Sequence, residues 1–87
     1  MPDVHHWKTL IALAPDQELK SEGSRMAGFM AEEDVDTYAV VGSDGVKAGE
    51  VVVRDHTNVK GFKRTIRVTQ SDAAGKQLLD TAYNVSK

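Results

Sequence analysis

The sequence predicts a small α+β domain, with one or two N-terminal helices packed on a four-stranded antiparallel β-meander. Three observations predict it. Apolar residues gather at helical spacing between residues 15 and 33. From Thr37 onward the hydrophobic period shortens to two. The β-rich runs are separated by turn chemistry at Ser43-Asp44-Gly45, at residues 58–61 and at residues 71–75. A chain of 87 residues suits one domain spanning residues 1–87.

Residues 3–14 read in two ways. As a helix, Asp3 is the N-cap and Val4, Trp7, Leu10, Ile11 and Ala14 share a face. As a strand, residues 6–13 would put Trp7, Thr9, Ile11 and Leu13 on one side, although Leu10 spoils the alternation. The helix is preferred, with a fifth strand from residues 6–13 as the alternative. Pro15 ends the segment either way, because the residue before a proline avoids the helical region.

Residues 15–33 then read as a helix. Pro15 suits a first-turn position, and Asp16 and Glu18 favour the positive end of the helix dipole. Leu19, Met26, Phe29 and Met30 form its apolar face. Gly23 and Gly28 each weaken it by roughly 1 kcal/mol relative to alanine. Four strands follow. Residues 38–41 form the first, and residues 50–56 the second, with Val51 and Val53 on one side and Val52 on the other. In residues 62–70, Phe62, Arg64, Ile66 and Val68 share one face while Lys63, Thr65, Arg67 and Thr69 share the other. Residues 76–85 close the meander, with Leu79, Tyr83 and Val85 inward.

Composition narrows the function classes. There are no cysteines, which excludes disulfides, cysteine-ligated metals and a cysteine nucleophile. That usage and the lack of a signal-like N-terminus lead us to expect a cytoplasmic protein. No apolar run reaches transmembrane length, so no membrane partner is expected. The net charge of −2 is unevenly distributed. Residues 1–36 hold eight acids against Lys8, Lys20 and Arg25, whereas residues 37–87 hold five acids against eight bases. The simplest reading is internal complementarity between the two halves.

The basic run is the main candidate site. Arg54, Lys60, Lys63, Arg64 and Arg67 lie close together, interrupted by a single acid, Asp55. A strand face carrying Lys63 and Arg67 beside Thr65 and Thr69 could meet phosphates. The preferred reading is an ordinary solvated strand face whose long cations discourage edge aggregation, since the chain as a whole is acidic. Lys60-Gly61-Phe62 is similar to the opening of the RNA-recognition-motif signature, but Lys63 and Arg64 depart from the glycine and aromatic it needs. Adjacent His5 and His6, and the pair Asp55-His56, lack the spacing of a metal site. The acidic run 32–36 lacks the glycine and distal glutamate of a calcium loop. No GxSxG, GxxxxGK[ST] or GxGxxG motif occurs.

The expectation is therefore a non-catalytic protein-interaction or regulatory module without a cofactor, monomeric or homodimeric. Its contact surfaces would be the meander edges and an acidic helical face of Glu18, Glu22, Glu32 and Glu33. Nucleic-acid binding through the basic strand face is the alternative.

Overall fold

A computed structural model describes residues 5–27, 33–57 and 64–85. Five strands follow one another along the chain: β1 (Glu18–Ala27), β2 (Glu33–Val41), β3 (Lys47–Thr57), β4 (Arg64–Asp72) and β5 (Gln77–Val85). Their order in the sheet is their order in sequence, and every neighbouring pair is antiparallel. The meander is thus one strand larger than expected, and β1 and β5 are its edges.

The α+β expectation is overturned. Among the described residues the helical structure is a single 3-10 turn, His6–Thr9. The helix expected over residues 15–33 is instead β1 and the start of β2, with residues 28–32 outside the described set. The described part of the segment, Glu18–Ala27, is mostly polar and contains Gly23, a poor helix interior. As a strand it makes nine register pairs with β2. That pairing satisfies the main-chain groups of β1 that face β2 and covers a flank of β2 that would otherwise be an edge. The fifth strand therefore comes from Glu18–Ala27, not from residues 6–13.

The alternation read for the later strands is present. Val51 and Val53 of β3 face Val68 and Gln70 of β4, and Ile66 faces Tyr83 of β5. On this same face Trp7, Val40, Val51, Val53, Ile66 and Val68 form the core, with Ile11, Leu19, Tyr38, Leu79, Tyr83 and Val85 packed around it. The apolar face of the sheet needs a cover, and residues 5–17 supply it with no α-helix. Trp7 is only 3% exposed and its ring leans on Tyr38, with centroids 5.2 Å apart. The Trp7 backbone N–H donates to the Tyr83 hydroxyl oxygen at 3.0 Å.

Farther along, Gln70 holds Ala12 at both main-chain groups. Its Nε2 donates to the Ala12 carbonyl at 2.7 Å, and its Oε1 accepts from the Ala12 N–H at 2.9 Å. Ile11 turns inward while Leu10 and Leu13 stay exposed, so neither the helical nor the alternating reading of this segment holds.

Two hairpin turns fall where turn chemistry was read, and the third place read, residues 58–61, lies outside the described residues. Between β2 and β3, Asp44 Oδ1 accepts from the Val46 N–H at 3.1 Å, and Gly45 takes a left-handed φ of +78° that a side chain would resist. Between β4 and β5, Asp72 Oδ1 accepts from the N–H groups of Ala74 and Lys76, each at 2.9 Å.

Candidate interaction surface

Strand alternation divides the basic run between the two faces of the sheet. Arg54 and Arg67 sit directly opposite one another on β3 and β4, on the face away from Trp7. Arg64 is on the Trp7 face, where its Nε donates to Asp55 Oδ1 at 2.7 Å and its Nη2 donates to the other carboxylate oxygen. Lys60 and Lys63 lie outside the described residues. The structure therefore does not join the three described arginines into one patch.

Each of these arginines has an acid. Arg67 makes a two-pronged contact with Asp80 of β5, at 2.9 and 2.7 Å. Arg54 lies 3.7 Å from Glu33 of β2. Two like charges directly opposite across a ladder repel, and the flanking acids on β2 and β5 offset that repulsion. The bond from Arg67 holds the Asp80 carboxyl below the usual carboxylate range, and the same bond raises the Arg67 guanidinium. Arg64 is raised likewise by its bond to Asp55.

The open face carries balanced charge among the described residues. Its register positions hold Lys20, Arg25, Arg54 and Arg67 against Glu18, Glu33, Glu50 and Asp80. Interspersed with them are Val35 and Ala39, both buried, and the half-buried Thr37, Val52 and Thr69. An open depression of about 600 Å³ runs between Glu33 and Asp80, floored by Val52, Arg54, Arg67 and Thr69.

The expected acidic helical face is replaced by strand positions. Glu22 pairs with Lys47 at 3.0 Å and Glu33 with Arg54, while Glu32 is outside the described residues. These two pairs join the acidic half of the chain to its basic half, as internal complementarity expects. The other two, Arg64–Asp55 and Arg67–Asp80, lie within the basic half.

On the covered face, burial and the nearby Asp36 raise the Tyr38 hydroxyl. His6 packs edge-on against the Tyr83 ring at 5.2 Å. Among the described residues no three histidines or carboxylates converge as metal ligands. No described helix is long and apolar enough to cross a membrane.

The two edges differ in chemistry. β1 carries Glu18, Lys20, Glu22 and Arg25, and its register with β2 slips between Ser21 and Gly23. Charges and bulges of this kind block strand addition. β5 reads Gln-Leu-Leu-Asp-Thr-Ala-Tyr-Asn-Val, with no lysine, arginine, proline or glycine, and its one register slip with β4, at Leu78, lies near its start and leaves residues 79–85 regular. Its single charge, Asp80, is taken up by Arg67 of the same chain. Among the described residues no strand pairs with the outer side of β5. That a meander has two edges was legible in the sequence. Which of them is guarded was not, because β1 read as a helix. Compared with protein-family models, curated proteins and solved structures, the chain matches none.

Proposed function

We propose that this chain is a small, non-catalytic protein-interaction module that binds by adding an extended strand to β5. The observation that carries the reading is the unguarded β5 edge, set against a β1 edge that is charged and irregular. Strand addition draws affinity from main-chain hydrogen bonds and specificity from nearby side-chain pockets. The depression beside Gln77 and Asp80 adjoins that edge and would receive side chains of an added strand on the open face. We prefer this to nucleic-acid binding because Arg54, Arg64 and Arg67 are each ion-paired and face in two directions. The cytosol is the proposed compartment, on the same cysteine-free composition.

The test is selection from a library of displayed extended peptides, followed by mapping of the contacts by amide NMR. Binders with alternating apolar residues that perturb β5 and leave β1 unchanged support the reading. Binders that map to another surface, or none at all, refute it. Titration with single- and double-stranded oligonucleotides at low salt is the companion experiment. Salt-sensitive binding that weakens in an Arg54→Ala/Arg67→Ala variant would move nucleic acid to first place.

A further inference from the structure

We infer that the strand added to β5 is the β5 of a second copy of this chain, giving a two-fold dimer with a continuous ten-stranded sheet. The inference rests on the strand-addition reading and names its occupant. Its geometry follows from the register of β5. Gln70 pairs with Leu79 and Ser71 with Gln77, which leaves Leu78 as the extra residue of a bulge. The regular part of the strand is therefore residues 79–85, and its centre is Ala82.

Antiparallel pairing of two such segments about Ala82 sets Leu79 against the second copy's Val85, and Thr81 against its Tyr83. On the open face it sets Asp80 against Asn84, and Ala82 against Ala82. No like charges oppose one another, and Asp80 meets an amide. Registers centred on Asp80 would instead align two carboxylates, which is unfavourable.

The covered face supports the same arrangement. Leu79, Tyr83 and Val85 are packed against the Trp7 core but only partly buried. In the dimer each row abuts its symmetry mate, and the two cores become one apolar layer. An overlap of this length forms roughly six to eight main-chain hydrogen bonds, since each hydrogen-bonded pair of residues exchanges two. β1 offers no comparable seam, because Glu18, Lys20, Glu22 and Arg25 line it and its register is broken. The chain thus has one self-complementary edge, so association closes at two copies and does not propagate into a filament.

The test uses Ala82, which is exposed and lies directly opposite Arg67 in the same chain. Ala82→Glu places a carboxylate beside Arg67, which the monomer tolerates, and opposes two carboxylates at the dyad of the dimer. Sedimentation of the wild type across a wide concentration range should show a monomer–dimer equilibrium, and Ala82→Glu should stay monomeric. Circular dichroism and Trp7 fluorescence establish that the variant is folded. Because the chain has no cysteine, Ala82→Cys treated with a short bismaleimide should yield a covalent dimer, while Lys20→Cys on β1 should not.

A wild type that remains monomeric at its highest concentration overturns the inference. So does a dimer that survives Ala82→Glu and escapes cross-linking at position 82. A monomer whose β5 still binds selected peptides would refute the second copy while leaving the strand-addition reading intact. A monomer that binds none refutes both.

Discussion

Replacing Gln70 with methionine probes what fastens the N-terminal segment to the sheet. Gln70 is 3% exposed, and both ends of its amide are committed to the main chain of Ala12. Methionine keeps the length and the unbranched shape while deleting both hydrogen bonds. Each is worth about 0.5–1.5 kcal/mol net, so the expected loss is about 1–3 kcal/mol. Against a total stability on the order of 4–13 kcal/mol for a chain of this length, that is a large share. With a urea slope of about 1 kcal/mol/M, the unfolding midpoint should fall by about 1–3 M. Urea titrations followed in parallel by two probes are the assay. The single tryptophan, Trp7, reports docking of the segment, and far-UV circular dichroism reports the sheet. In the variant the fluorescence transition should move to lower urea and precede the dichroism transition. Wild-type midpoints by both probes would refute the clamp.

Two further outcomes follow from the packing and the charges. A methyl group on Gly49 would stand 2.5 Å from the Ser71 carbonyl oxygen, so Gly49→Ala must push β3 and β4 apart; a loss of about 1–3 kcal/mol in thermal or urea unfolding is expected, and an unchanged stability would contradict the close approach. The bond from Arg67 depresses the Asp80 pKa, so the Asp80 contribution is in place above the unfolded value near 4 and is lost as pH falls through the lower folded value. Asp80→Asn should therefore flatten the acid limb of the stability–pH profile, and an acid limb identical to that of the wild type would count against the pair.

The three C-terminal strands and the turns at Asp44-Gly45 and Asp72 were legible because their signals are local. Val51 and Val53, Ile66 and Val68, and Leu79, Tyr83 and Val85 recur at a period of two in β-rich runs, and Asp44-Gly45 and Asp72 bring their own turn hydrogen bonds. The first strand was illegible because nothing local makes Glu18–Ala27 extended. All but Leu19 of its side chains whose burial is described are exposed, and its conformation is decided by pairing with β2. The helix was read instead from the helical spacing of Leu19, Met26, Phe29 and Met30 and from Pro15, Asp16 and Glu18 at its start. Residues 5–17 hid their role for a related reason. Their docking depends on one buried indole and on Gln70, 58 residues away, which a periodicity argument does not see. The candidate site was half legible. Alternation correctly put Arg64 and Arg67 on opposite faces, but the acids that neutralise them come from neighbouring strands in the sheet. The self-complementary character of β5 emerges only when its bulge is known, since Leu78 moves the centre of the regular strand to Ala82.

Whether β5 accepts a strand is read from amide hydrogen exchange along β5 and β1 at increasing protein concentration. Alternate β5 amides, those directed away from β4, should change from fast to protected as concentration rises, while the outward amides of β1 stay fast throughout. Outward β5 amides that exchange fast at every concentration, and remain fast with saturating selected peptide, would contradict strand addition at β5.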